Sequence, residues 1–178
     1  MTNSAPNRID TPRLRLRMFE DSDWKPLCQL FSDEECVRYT IQTILPDWQT
    51  WRTLAAYVGH WKLRGFGPYA VVERATGTML GPVGLWYPAE WPEPEVKWAL
   101  VRTAWGKGYA TEAASAVVDM AKQHLGWTRV ISLIFPENER SKNVARRLGG
   151  VYEETIPFRD AVAEIFAYDL TRIETRPL

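Results

Sequence analysis

The stretch at residues 105–121, WGKGYATEAASAVVDMA, constrains this chain more than any other. Two glycines flank a lysine directly ahead of a run whose apolar residues recur at helical spacing. Glycine loses more backbone entropy on folding than other residues, so it belongs where the chain must bend sharply or be approached closely. A helix start also presents unpaired N–H groups and the positive end of the helix dipole, and together these favour an anion. The segment before the loop, EVKWALV (residues 95–101), reads as a strand. After a helix that runs to about Leu125, RVISLIF (residues 129–135) is the short, almost wholly apolar run of an interior strand. A strand–helix–strand crossover that returns to a neighbouring strand makes the two strands parallel, with a right-handed connection. The loop then opens at the carboxyl end of a strand, where open α/β sheets place ligands.

The other segments build one mixed sheet around this unit. LRLRMF (residues 14–19) alternates, with Leu14, Leu16 and Met18 on one face and Arg15 and Arg17 on the other, as a half-buried strand does. Acidic capping residues in EDSDWKPLCQLFSD precede Trp24, Leu27, Cys28, Leu30 and Phe31 and predict a helix. Pro46 and Asp47 start a second helix that ends at Gly65. YAVVERATGTMLGPVGLWY gives two strands and a turn around Thr76 and Gly77. NERSKNVARRLGG gives a polar helix closed by Gly149 and Gly150, and VYEETIPF and EIFAYDL supply the last strands. With no repeat, linker or low-complexity tract, residues 1–178 read as a single domain, its core about 11–170.

Composition excludes several classes. Lysine plus arginine equals aspartate plus glutamate at 22 each, so no net field draws nucleic acid or an anionic membrane. No apolar run is long enough to span a bilayer. The opening MTNSAPNRID has no apolar core, so no secretion signal is expected there, and a reduced, cytoplasmic setting is. In that setting the two cysteines, Cys28 and Cys36, read as inert buried thiols. His60 and His124 stand alone in helical stretches and read as helix-surface residues, so no metal site is expected.

Three phosphate-binding patterns compete for the loop. A nucleotide-hydrolysing P-loop needs serine or threonine after its lysine, but Gly108 follows Lys107. A dinucleotide fingerprint needs three glycines in a first strand–helix unit, and GKGYAT supplies two after antiparallel strands, although Glu137 sits near the expected acid. The third pattern fits: WGKGYA resembles the pyrophosphate loop of the GNAT superfamily of N-acetyltransferases, written Gln/Arg-x-x-Gly-x-Gly/Ala. PENERSKNVARRLG (residues 136–149) is similar to that family's second signature, Asn-x-x-Ser-x-x-Val followed by Leu-Gly. TPRLRLRMFEDSDW (residues 11–24) resembles the opening of the branch that acetylates ribosomal-protein N-termini. The three occur in the family's order.

The resemblance implies a fold, a donor and a site. The fold is a mixed α/β arrangement: a mostly antiparallel twisted sheet with a central splayed parallel pair and about four flanking helices. The donor is acetyl-CoA, with its pyrophosphate on the backbone amides of Trp105, Gly106, Lys107, Gly108, Tyr109 and Ala110. Its pantetheine arm would pair with the backbones of Leu100 and Arg102 and meet Asn138, with Asn143 a further contact. Lys107, Arg146 and Arg147 are candidates for the 3′-phosphate, or simply a solvated helix face. Two copies pairing through sheet edges or helices is a further expectation, with no residue to fix it.

Acyl transfer to an alkylammonium, whose pKa lies near ~10, requires a base, a donor for the oxyanion and an acid for the thiolate. Glu95 is the favoured base, with Glu93 second, and Ser141 the acid. Strand-edge exposure and helix capping are the structural alternatives for these residues. Nine tryptophans are many for 178 residues. Trp48, Trp51, Trp61, Trp86 and Trp91, with Tyr87, would border the acceptor pocket or pack the core. Glu90, Glu93 and Glu95 would attract a cationic amine, whether a protein N-terminus, a polyamine or an aminoglycoside. A non-catalytic acyl-CoA sensor on the same scaffold is the rival reading, and it would lack a working acid and base.

Overall fold

The alternation in Leu14–Arg17 (β2) buries Leu14 and Leu16 completely and leaves both arginines at the surface layer. In the computed structural model, which describes residues 4–173, this strand pairs with β1 (Arg8–Asp10) and β3 (Pro68–Glu73). Beyond them lie β4 (Met79–Trp86), β5 (Glu95–Trp98), β6 (Arg129–Ile134), β7 (Val151–Phe158) and β8 (Ala161–Asp169). The sheet order is β1-β2-β3-β4-β5-β6-β8-β7, and every pairing is antiparallel except β5 with β6. The Thr76–Gly77 turn closes the β3–β4 hairpin, with the Gly77 N–H donating to the Glu73 carbonyl at 2.8 Å.

Among the described residues, five α-helices cover this sheet: α1 (Trp24–Phe31), α2 (Glu34–Val37), α3 (Asp47–Arg64), α4 (Tyr109–Leu125) and α5 (Glu139–Arg147). The long helix α4 buries Ala113, Val117, Met120 and Ala121 against Leu16, Val71, Val83 and Val96. Leu27, Leu30 and Phe31 of α1 pack with α2 and Leu54 and Tyr57 of α3 in a second cluster that includes Ala70. Because Ala70 lies between the inward-facing Tyr69 and Val71 on β3, the two clusters sit on opposite faces of the sheet.

Two short elements were not anticipated, and three expectations are corrected. The one-turn α2 and the three-residue β1 are too short to leave a periodic signature. The strand expected over residues 95–101 ends at Trp98, and Arg102–Ala104 forms a 3-10 turn. The last strand begins at Ala161, three residues before its apolar run. His60 is a core residue, not a surface one: it is 6% exposed and stacked on Trp86 with ring centroids 4.6 Å apart. Its Nε2 accepts the Tyr87 N–H at 3.0 Å, so Nδ1 carries the proton and donates to the Phe66 carbonyl at 2.8 Å. Burial lowers its pKa and keeps the ring neutral.

Among the described residues, no helix is long and apolar enough to cross a membrane. Cys28 is half-buried and Cys36 buried; both are free, and burial raises both thiols.

Candidate active site

The glycine loop takes the shape that its composition demands. Gly106 and Gly108 have φ of +74° and +79°, left-handed values that side chains with a Cβ resist. Gly108 caps α4, and the first helical N–H to bond back is that of Glu112, onto the Gly108 carbonyl at 3.0 Å. The N–H groups of Tyr109, Ala110 and Thr111 precede that bond and crown the helix mouth. Arg13 holds this mouth from the N-terminal segment: Nη1 donates to the Lys107 carbonyl at 2.9 Å and Nε to Glu112 Oε2 at 2.7 Å. Thr11 Oγ1 donates to the other Glu112 oxygen at 2.6 Å. The TPR motif near the start of the chain thus acts as a strap on the loop.

Beside the mouth, β5 and β6 part. Their ladder consists of one register pair, Glu95 opposite Ile131. After Trp98 the chain follows β4 instead, with the Ala99 N–H donating to Pro82 and the Val101 N–H to Leu80 at 2.9 and 2.8 Å. Gly81 permits this close approach, since a Cβ there would lie 2.1 Å from the Ala99 carbonyl oxygen. By the alternation of an extended chain, the backbone groups of Trp98 and Leu100 face the opening V. Side chains close its apex: Ser132 Oγ donates to the Val96 carbonyl at 2.7 Å, and Glu95 Oε1 accepts the Leu133 N–H at 3.4 Å. The helix mouth and the V together bound a cleft of about 1640 Å³.

A second cavity of about 360 Å³ opens on the other side of the V. Tyr57, Trp86, Trp91, Trp98 and Phe158 line it with aromatic rings, and Glu95 lies among them. Glu95 is 6% exposed, and its Oε2 accepts the Trp91 indole N–H at 3.0 Å. Burial pushes this carboxyl above the ordinary glutamate value, and the nearby Lys97 charge and the two N–H donors only partly offset it. Burial likewise lowers Lys97, with Glu95 opposing that shift.

Trp98, Asn138 and Ser141 line both cavities. Asn138 caps α5 by accepting the Ser141 N–H at 3.1 Å. Ser141 Oγ accepts the Trp98 indole N–H at 3.2 Å, so its own hydroxyl proton is not engaged by that bond.

Of the residues named from sequence, Leu100, Trp105, Gly106, Gly108, Tyr109, Ala110, Asn138, Ser141 and Asn143 line the cleft, and Glu95 lines the smaller cavity. Lys107 and Arg102 line neither. Lys107 contributes its carbonyl to Arg13, while Arg102 pairs with Asp33 at 2.7 Å and spends its own carbonyl on the Trp105 N–H. The Leu100 carbonyl accepts the Trp105 indole N–H at 2.7 Å, which leaves the Leu100 N–H as its group facing the V. Glu93 is clamped by Arg129 at 2.7 and 2.9 Å, outside both cavities. Trp86 and Trp91 line the smaller cavity, Trp61 packs in the core, and Trp48 and Trp51 are exposed. Lys97, Arg159, Tyr57 and Phe158 were not read as site residues. They come from separate elements, and no local pattern unites them.

The splayed parallel pair and the glycine-capped helix mouth beside it lie within an acyltransferase domain. The chain belongs to the GNAT acetyltransferases: the family described as Acetyltransferase (GNAT) domain matches residues 13–151. It is 26% identical to the uncharacterized N-acetyltransferase p20 of Bacillus licheniformis, over 92% of this chain and 96% of that one. A crystal structure of an acetyltransferase from Agrobacterium tumefaciens superposes with a TM-score of 0.83 at 27% identity, covering 93% of this chain and 95% of that one. The fold is also shared with RimL, a ribosomal-protein acetyltransferase in complex with coenzyme A, at a TM-score of 0.75 and 16% identity, over 91% and 97% of the two chains. The family draws its acetyl group from acetyl-CoA.

Proposed function

We propose that this protein moves an acetyl group from acetyl-CoA to a primary amine by direct attack within a ternary complex. The observation that carries this reading is the meeting of two cavities at Trp98, Asn138 and Ser141. One ends in a helix mouth suited to a diphosphate, and the other holds a buried carboxylate of raised proton affinity.

The leading amides of α4 bind the coenzyme's diphosphate without using a charged side chain. The Trp98 and Leu100 backbone groups that face the V offer the pantetheine arm the partners that β6 does not supply. Glu95 takes a proton from the acceptor ammonium, directly or through one water, and its raised pKa makes it a better base than an exposed glutamate. The freed nitrogen lone pair attacks the thioester carbonyl, and a backbone N–H near Leu100 donates a hydrogen bond to the developing oxyanion. As the C–S bond breaks, the thiolate takes the Ser141 proton, the second proton on nitrogen passes to water and restores the Ser141 hydroxyl, and Glu95 releases its proton to solvent as the site empties.

The test is thiol release over a panel of amines that includes a protein N-terminal peptide, in parallel with coenzyme A binding. Release with at least one amine is expected. Tight coenzyme binding with no turnover on any amine would favour the sensor reading instead.

A further inference from the structure

Four charged side chains line the acceptor cavity: Glu95, Lys97, Arg52 and Arg159. The sequence suggested an acidic entrance, yet Glu93 is bound to Arg129 outside the cavity and Glu90 does not line it. The cavity therefore carries three cations against one carboxylate, and that carboxylate holds its proton more tightly than usual.

Lys97 is the innermost of the three. It lies on β5 two residues after Glu95, with its ammonium 5.1 Å from the Trp86 ring centre and 6.0 Å from that of Tyr57. Among the described residues, no carboxylate comes within ion-pairing distance of Lys97, Arg52 or Arg159. Arg159 is held over Trp91 at 5.4 Å and over Phe158 at 5.3 Å. It stands at the β7–β8 turn with a φ of +55°, an unfavourable conformation for arginine.

A half-buried ammonium supported by ring faces, with no carboxylate at ion-pairing distance, is an incomplete site, because a charge partly withdrawn from water gains from a counter-charge. A polyamine or an aminoglycoside would bring more positive charge to it. We propose, resting on the acetyl-transfer reading above, that the acceptor is a primary amine bearing a carboxylate on an aromatic or bulky apolar body. Its nitrogen faces Glu95, its carboxylate meets Lys97 and Arg159, and its side chain lies among Trp86, Trp91 and Phe158. A free aromatic α-amino acid and the acidic N-terminal residue of a peptide share this chemistry.

The test compares kcat/KM for L-tryptophan, tryptophanamide, tryptamine, spermidine and an Asp-Trp dipeptide, with acetyl-CoA saturating. Tryptophan or the dipeptide is expected to exceed tryptophanamide and tryptamine by about tenfold or more. The ratio of those two acids identifies the source. Lys97→Met and Arg159→Gln are expected to collapse the acid-to-amine ratio toward one. Any change in Glu95 basicity affects both substrates and cancels in that ratio, and either variant suffices if the other fails to fold. Turnover of tryptamine or spermidine at or above that of the acids would overturn the inference and leave the acetyl-transfer reading intact. No turnover on any member, with thiol release on another amine of the wider panel, would overturn the inference alone; no release on any amine of either panel, with coenzyme A bound, would overturn both.

Discussion

Glu95 meets the conditions that a general base requires: it lines the acceptor cavity, burial raises its proton affinity, and two N–H donors fix its orientation. Its folded pKa lies above the unfolded value, so ionisation opposes folding. That penalty is absent below the unfolded pKa, grows as pH rises, and is complete once pH passes the folded pKa. Glu95→Gln keeps an oxygen to accept from Trp91 and removes the buried charge. Turnover is expected to fall by about 10²–10⁴ with coenzyme A affinity nearly unchanged, and the melting temperature at pH 8 to stay level or rise. Steady-state kinetics and thermal melts check both, and unchanged turnover would move the base elsewhere. The wild-type kcat/KM profile is expected to lose activity on its acid side above the ordinary glutamate range. The carboxylate at residue 95 was legible in WPEPEV; its advantage over Glu93 was not, because the clamp on Glu93 comes from Arg129, 36 residues away.

Among the elements, the glycine loop was the most legible, because a pair of left-handed residues before a helix leaves a local mark in composition. The splay beside it left none, since it depends on Gly81 of β4 letting the extension of β5 hug one neighbour and desert the other. The same dependence shortened the strand expected over residues 95–101. The loop's two roles can be separated by substitution. Gly108→Val and Gly77→Val both place a branched side chain at positive φ, +79° and +72°, and each is expected to cost about 1–2 kcal/mol of stability. Only Gly108→Val stands at the mouth of α4, so only it is expected to weaken coenzyme A binding, by about tenfold or more. Denaturant unfolding and calorimetry report the two quantities independently. Equal loss of coenzyme affinity in both variants would mean that the effect is global and not a property of the helix mouth.

At the scale of the whole molecule, a mixed sheet with one parallel pair followed from the strand–helix–strand unit around α4 and β6 and from the family resemblance, whereas the order of the strands and the division of helices between the two faces left no local mark in the chain. The smaller cavity was not legible either, because its rings and cations come from α3, β4, the β4–β5 loop, β5, the end of β7 and the turn after it, and folding alone brings them together. A ligand bridging the helix mouth and the V binds only the folded state. Coenzyme A at a hundred times its dissociation constant is therefore expected to add about 2.7 kcal/mol of stability. For a chain of this size that is a rise of about 5–11 °C in melting temperature. ATP at the same concentration should give a smaller rise, and an equal one would contradict selective use of the V. The most direct measurement is a titration of ¹⁵N-labelled protein with coenzyme A, following each backbone amide. Gripping of the diphosphate by the main chain predicts the largest shifts at residues 106–111, with little change across α1. Saturable binding that leaves those amides unmoved would contradict it.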